Sequence, residues 1–345
     1  MRLGWFVAAL LLASGLGAVG SHAGDGILER VQRNGFLRCG VSLSGTGLAV
    51  LDELGRWQGF YVDLCRAVAA AVTGSAENLE ILETASGNRF TAVTDGTADM
   101  TVAGATWTQE REGRLGISFP VVQMYDGQGF MAHRSLGVSR LADVRGATVC
   151  VIAETTTQRN LERWAAANPA ARLTIRTVQS TDGALTAFFN HHCDLLTNDR
   201  VSLFAQRLLK APTPSDYVIL PDVISKEPIS PAVAAGDQRW ERIVRWVVLA
   251  MVAAEELGIS SSNAPALKGR TDVLPETRRL LGTNPGVGAA LGLDDGWVMR
   301  ILTTVGNYGE VFERHLGHGS PLGIDRGMND LWTRGGLMFA PPLGG

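Results

Sequence analysis

Phe90-Thr-Ala-Val-Thr-Asp-Gly-Thr-Ala-Asp99 lies over Leu185-Thr-Ala-Phe-Phe-Asn-His-His-Cys-Asp194 at an offset of 95, with Thr91 on Thr186, Ala92 on Ala187 and Asp99 on Asp194. In both copies an apolar helical pattern runs into a polar turn, and an aspartate then introduces a short apolar run. Working outward from the first copy, strands are expected at 37–41, 79–82 and 99–103, with helices beginning near Asp63 and over 88–94. Around the second copy the same order recurs: strand 149–152, helix 155–167, strand 173–178, helix 181–190 and strand 193–196. Strand-helix alternation of this kind predicts a parallel sheet with helices on its faces, and the repeat predicts two related α/β lobes. Continuing the register sets Gly104 opposite Asp199. Both fall just past the carboxyl ends of their strands, where open α/β sheets bind ligands.

The lobes are expected to be joined twice. Met124-Tyr-Asp-Gly-Gln-Gly-Phe130 is rich in glycine and polar residues and suits a hinge. Ser225-Lys-Glu-Pro-Ile-Ser-Pro231 carries two prolines that favour extended chain, as a return crossing requires. The first lobe is therefore discontinuous, comprising 24–128 and 229–345, with the second lobe over 129–228. Trp240, Ile243, Val244, Val247, Met251 and Ala254 follow at helical spacing and predict a long helix against the first lobe. The tail from residue 282 carries helical stretches at 297–305 and 327–332.

The 345 residues hold 34 acidic and 31 basic side chains, a formal charge of −3, and 46% of them are hydrophobic. A nucleic-acid binder built on a global basic field is excluded, and a sizeable core is affordable. Arg2 precedes an apolar stretch over 3–12, then small residues and Ser21-His22-Ala23, the pattern of a secretory signal cleaved after Ala23. The unbroken apolar run is shorter than the roughly 20 residues a spanning helix needs. Export to an oxidising compartment makes disulfides the expected state of Cys39, Cys65, Cys150 and Cys193, which lack CxxC spacing. Three connectivities are possible. Given two lobes, Cys39 with Cys65 and Cys150 with Cys193 keep each bridge inside one lobe and leave relative motion free.

Several stretches, in order, resemble the periplasmic substrate-binding proteins of polar amino-acid ABC transporters (solute-binding protein family 3), in particular the general L-amino-acid-binding branch. They are Gly35-Phe-Leu-Arg-Cys-Gly-Val41, Val62-Asp-Leu-Cys-Arg-Ala-Val-Ala-Ala-Ala-Val72, Tyr125-Asp-Gly-Gln-Gly-Phe-Met131, Ser225-Lys-Glu-Pro228 and Ala254-Glu-Glu-Leu-Gly258. The tail adds Val305-Gly-Asn-Tyr-Gly-Glu310, Gly319-Ser-Pro-Leu322 and Ala340-Pro-Pro342, which are closer to this branch than to amino-acid binders generally. The resemblance implies an α/β, two-lobed clamp of the type II periplasmic binding protein class with two hinge crossings. It implies a periplasmic monomer that closes on a free L-amino acid and delivers it to permease subunits in the inner membrane. Neither a cofactor nor a nucleic-acid partner is expected.

An amino acid presents a carboxylate and an ammonium, and unpaired buried ions are costly, so its site needs both signs of partner. By position Arg111 matches the family's fork onto the ligand α-carboxylate, and Thr106 a hydroxyl beside it. Thr155 and Thr156 stand at a helix start, where free amides and the helix dipole favour an anion. Asp199 matches the acceptor for the ammonium, although an aspartate after a strand also serves as a helix cap. Leu48 lies in the first strand-helix loop, where the family places an apolar residue against the substrate side chain. Glu154 departs from the family by replacing glycine; it faces outward, pairs with an arginine, or selects a cationic ligand. Ala103 and Gly104 lack larger polar side chains common there, and Tyr61 replaces a common acid.

Competing signals carry less. His191-His192-Cys193-Asp194 contains metal-ligand types, but consecutive strand residues point to opposite faces. His315 and His318 lie among glycines that favour a loop, with no third ligand apparent, and Ser44-Gly-Thr-Gly47 lacks the lysine of a phosphate loop. Fold does not fix function. A periplasmic dehydratase on the same clamp, with Glu154 as general acid, and a sensory binding protein remain as alternatives.

Overall fold

A computed structural model describes residues 26–344 apart from Ser44 and Thr46, so the expected leader at 1–23 lies outside the described residues. The first part of the chain runs α1 (Ile27–Asn34), β1 (Leu37–Val41), the β2 (Val50–Leu51) and β3 (Trp57–Gln58) hairpin, α2 (Phe60–Thr73), β4 (Leu79–Glu83), α3 (Thr91–Thr94), β5 (Met100–Thr106), α4 (Gln109–Arg114), β6 (Ile117–Ser118) and β7 (Met124–Asp126). The middle part runs β8 (Gln128–His133), β9 (Thr148–Ile152), α5 (Thr156–Ala167), β10 (Thr174–Val178), α6 (Thr181–Phe189), β11 (Leu195–Asp199), α7 (Arg200–Lys210) and β12 (Tyr217–Ile219). The chain then returns through β13 (Glu227–Ala234) into α8 (Gln238–Glu256) and a helical tail.

The strands form two large sheets, ordered β4-β1-β5-β13-β6 and β10-β9-β11-β8-β12. In each, three parallel strands are followed by one antiparallel strand, so β13 occupies in the first sheet the place that β8 occupies in the second. The repeat read from residues 90–99 and 185–194 has a physical counterpart. Asp99 Oδ2 accepts from the Arg38 amide at 2.8 Å while the Asp99 amide donates to the Arg38 carbonyl. Asp194 Oδ2 accepts from the Thr148 amide at 2.7 Å, and its own amide donates to the Thr148 carbonyl. In each lobe an aspartate therefore pins the third strand to the head of the first.

The crossings run in extended chain. Only Gly127 separates β7, paired in the first sheet, from β8, paired in the second. Its place is enforced by crowding, because a Cβ there would collide with Val223. The return crossing enters β13 directly, and both prolines sit within that strand. Cys39 bonds to Cys65, joining β1 to α2, and Cys150 bonds to Cys193, joining β9 to the turn before β11, so each bridge stays within one lobe. The helix expected over 88–94 shrinks to α3, because the Asn88 side chain takes the Ala85 amide at 2.7 Å and favours a turn.

The tail closes over the first lobe with α9 (Ala264–Lys268), α10 (Pro275–Leu280), α11 (Trp297–Thr304) and α12 (Tyr308–His315). Trp297, Ile301, Leu302, Tyr308 and Phe312 are buried in the core shared with α2 and α8. Full burial of side chains this large stabilises the docking by about 2 kcal/mol each. Asn329 brackets the Tyr125 backbone, accepting from its amide at 2.6 Å and donating to its carbonyl at 2.9 Å, which covers an exposed edge of β7. The helix expected over 327–332 is instead two short 3-10 turns, Gly327–Asn329 and Trp332–Arg334, with Asp330 extended between them. His315 ends α12 rather than lying in a loop, and its Nε2 meets Asp63 at 2.7 Å. No helix among the described residues is long and apolar enough to cross a membrane.

Asp63 is the polar bolt of this docking. It sits in the first turn of α2, where it also takes Arg66 and Arg314. Burial alone would raise its carboxyl, but His315 and Arg314 outweigh that cost and hold it well below the usual carboxylate range. Asp63→Asn should therefore lower stability by about 2 kcal/mol at neutral pH, measured as a fall in the thermal midpoint. A carboxyl held low contributes fully above its unfolded value of about 4 and loses that contribution as the pH falls further, so the gap between wild type and variant should narrow in acid. Equal midpoints at pH 7 would show that the tail is held by its apolar contacts alone.

Candidate functional site

The carboxyl ends of β1, β5, β9 and β11 face one another across the two lobes, as strand polarity in the repeat requires. Between them lies a cavity of about 80 Å³. Its first-lobe wall includes Tyr61, Arg89, Gly104 and Thr106; its second-lobe wall includes Thr155, Thr156, Asp199 and Gln206. It adjoins an outer chamber of about 320 Å³, with Ser42, Leu43, Ser86, Ile152, Thr181 and Gln206 lining both.

The lobes meet over this cavity through one chain of hydroxyl groups. Thr106 Oγ is 2.5 Å from Glu227 Oε2 and donates to it, so the 3.2 Å contact between the Thr106 and Thr156 hydroxyls must be donated by Thr156. Glu227, 1% exposed on the return crossing, also accepts from Asn160 Nδ2 at 2.9 Å and from Ser225 Oγ. One hinge carboxylate thus holds the end of β5, the flank of α5 and its own crossing.

Thr155 is the N-cap of α5: its hydroxyl accepts from the Gln158 amide at 3.1 Å and donates to the Ile152 carbonyl at 2.7 Å. The first amides of the helix, those of Thr156 and Thr157, have no intrahelical acceptor and suit an anion. Asp199 stands at the N-cap of α7 but forms no capping bond. Asp126 performs that task from the first crossing, taking the Val201 amide at 3.1 Å together with the Gly127 amide at 2.7 Å. The Asp199 carboxylate makes no hydrogen bond or ion pair among the described residues, and it lines the cavity.

Arg111 is buried directly behind Thr106, with Nη1 on the Thr106 carbonyl at 2.8 Å and its guanidinium over Phe90. It does not line the cavity itself. Two positions differ from expectation. Leu48 is a core residue of the first lobe, 1% exposed, because its backbone is turned to receive the Tyr61 amide at the start of α2; Leu43, five residues earlier in the same loop, reaches the cavity instead, alongside Ala103 and Ile152. Glu154 is exposed and outside the cavity, at φ 60°, with its amide bonded to Gln158 Oε1. A left-handed turn between β9 and α5 throws that side chain outward.

The charges in the cleft are poorly compensated. Burial raises Asp199 well above the usual carboxylate range, Asp126 and Glu227 add to the effect, and Arg89 and Arg111 oppose it. Burial pushes Asp126 up to about 6 against its two main-chain donors. Arg111 is brought down to about 9 by burial, with Arg89 and Arg159 adding to it. A ligand carrying both signs would relieve the two groups at once. Arg89 and Gln206 escaped the sequence reading. The signal for Arg89 was its place one turn past the end of β4, beside the equivalent of the strand ends that position Thr106 and Asp199; Gln206 reads as one polar position on an amphipathic helix, with nothing local to single it out.

The model of the bacterial extracellular solute-binding proteins, family 3, matches residues 37–260. The general L-amino acid-binding periplasmic protein AapJ of Rhizobium johnstonii is 39% identical over 340 residues, covering 96% of this chain and 98% of its own. The glutamate/glutamine/aspartate/asparagine-binding protein BztA of Rhodobacter capsulatus is 41% identical over 343 residues, covering 99% of this chain and all of its own. A periplasmic binding protein from Brucella ovis with glutathione bound superposes with a TM-score of 0.90 at 39% identity, covering 93% of this chain and 100% of that one. The cysteine-binding protein of Campylobacter jejuni, at 19% identity and a TM-score of 0.59, shares the fold over 72% of this chain and 97% of its own. With the two-sheet topology, the double crossing and the cleft between strand ends, these likenesses place the chain in the bacterial extracellular solute-binding proteins, family 3.

Proposed function

We propose that this protein is the extracytoplasmic amino-acid-binding component of an ABC importer, closing on a free L-amino acid and handing it to permease subunits in the inner membrane. The observation that carries this reading is the Asp199 carboxylate, unpaired among the described residues and freed from capping by Asp126, facing a wall that holds buried guanidinium groups and open helix amides. Asp199 accepts the ligand ammonium. The amides of Thr156 and Thr157 receive the α-carboxylate, and Arg111 supports that wall from behind through the Thr106 carbonyl, as its positive charge favours an anion there. The names of AapJ and BztA and the glutathione in the Brucella protein support a small ligand with an amino-acid end. The leader pattern over 1–23 and the family's extracellular character support work outside the inner membrane.

Closure follows from differential affinity. The ligand touches both lobes only when they are shut, and its binding energy therefore favours the shut form, in which Thr156, Thr106 and Glu227 are linked. A dehydratase on this clamp would need a proton donor at the cavity, and Glu154, the residue expected to serve, does not line it.

Thermal unfolding of ligand-stripped mature protein against single L-amino acids is the direct test. A true ligand at a hundredfold excess over its Kd stabilises the native state by about 2.7 kcal/mol, and silence from every L-amino acid would overturn the proposal. Asp199→Asn and Arg111→Ala should each weaken all amino acids that bind, by about 2 kcal/mol or about 30-fold, because the first removes a contact to their common backbone and the second the charge and support behind its carboxylate; unchanged Kd values in calorimetry would remove that residue from the site. Glu154→Gly should leave the ranking of ligands as it is and raise stability by about 1 kcal/mol through relief of a left-handed side-chain position. A changed ranking would show that Glu154 meets the ligand after all.

A further inference from the structure

Two side chains of the first sheet face two side chains of α5. Thr106 ends β5 and pairs with Ile229 of β13, so Glu227, two residues earlier in β13, is its diagonal neighbour on the same face of the sheet. Thr156 and Asn160 are four positions apart on α5 and share one face of that helix. The two pairs meet at two points: the Thr156 hydroxyl donates to Thr106 at 3.2 Å, and Asn160 Nδ2 donates to Glu227 Oε1 at 2.9 Å. Asn160 is oriented for this, because its Oδ1 takes Arg163 Nη2 and leaves the Nδ2 end for Glu227.

The second of these points is separate from the ligand. Thr106 and Thr156 line the inner cavity, whereas Asn160 and Glu227 do not. All four line another groove, of about 930 Å³, beside the return crossing at Ser225 and Lys226. A ligand in the cavity therefore does not make or break the bond between Asn160 and Glu227; that bond forms whenever the lobes shut. Thr106 and Ser225, on the sheet and the crossing that carry Glu227, stay with its carboxylate when the lobes part, so Asn160 is the donor that leaves. The groove lets water replace it, and a charge-assisted hydrogen bond is worth only modestly more than its hydrated parts. The shut form is favoured without being locked.

We propose that Asn160 and Glu227 form a latch that keeps part of the ligand-free protein shut, and that this pair scales the affinity for every ligand without touching any of them. Both are positioning residues: they bring the first amides of α5 up to the wall formed by Thr106. Apparent affinity is the intrinsic affinity multiplied by the fraction of molecules already in the competent form, so loss of the latch weakens all ligands by one common factor and leaves their order unchanged. This rests on the amino-acid-binding function proposed above and adds the control of its closure.

The test begins without ligand. In small-angle X-ray scattering, the ligand-stripped mature wild type should have a radius of gyration between that of the same protein saturated with a bound amino acid and that of Asn160→Asp, where two carboxylates oppose one another at the latch and the lobes part. Adding Glu227→Gln to Asn160→Asp places an amide donor opposite the new carboxylate and should return the radius towards the wild-type value. In calorimetry with L-glutamine, L-glutamate and L-alanine as probes, Asn160→Asp should weaken each that binds by about tenfold or more and by the same factor, with the double variant within about threefold of wild type. Asn160→Ala introduces no like charge, should weaken the same probes severalfold, and carries the test if the aspartate variant does not fold. Unchanged radius and Kd values in the Asn160 variants, a double variant as open as the single one, or a loss that differs severalfold between probes would each overturn the latch while leaving amino-acid binding intact. The expected change in radius with silence from every L-amino acid would overturn the binding function and leave the latch standing.

Discussion

Glu227 is a buried point at which the two halves of the molecule meet. It lies on the return crossing, almost wholly buried, and its oxygens collect a hydroxyl from the end of β5, an amide from α5 and a hydroxyl from the crossing itself. A buried carboxylate tolerates this position only while its donors are in place. Separation of the lobes must draw Thr106 and Thr156 apart and strip at least one donor from it.

The same logic explains why charged groups in the cleft divide into those with structural work and those without. Asp126 caps α7 from the neighbouring crossing, which leaves Asp199 at the cap position with its carboxylate turned to the cavity. Thr155 spends its hydroxyl on the start of α5, which leaves the following amides open. Arg111 is committed to the Thr106 carbonyl and supports the cavity wall, while Arg89 keeps a nitrogen without a partner.

The tail gives the first lobe a mass that the second lacks. Its aromatic residues fill the face of α2, with Phe60 edge-on to Tyr308 and Phe312, and Asp63 gathers Arg66, Arg314 and His315 from both sides of that contact. Asn329 and Tyr308 hold the backbone around the first crossing, the latter through the Gln123 carbonyl at 2.8 Å. The lobe that carries Arg89 and Arg111 is thereby made a stiff platform. The two disulfides add cross-links within lobes and none between them, so neither opposes rotation at the hinge.

The sequence by itself determined the alternation of strands and helices, the repeat and the two crossings, which follow from periodicity, punctuation by glycine and proline, and position relative to strand ends, all of which are local. Thr106, Arg111 and Asp199 were singled out by family resemblance, and the pairing of the cysteines was one of three until the fold brought Cys39 to Cys65 and Cys150 to Cys193. Tertiary structure alone decided which side chains meet the cavity. Leu48 and Leu43 lie five residues apart in one loop, yet the backbone turn at the head of α2 buries the first and presents the second. Glu154 was turned out by one left-handed residue, and Arg89 was brought in by the packing of α3 against the end of β5. Orientation of a side chain depends on dihedral angles and on partners distant in the chain, such as the 121 positions between Thr106 and Glu227. No pattern of neighbouring residues contains that information.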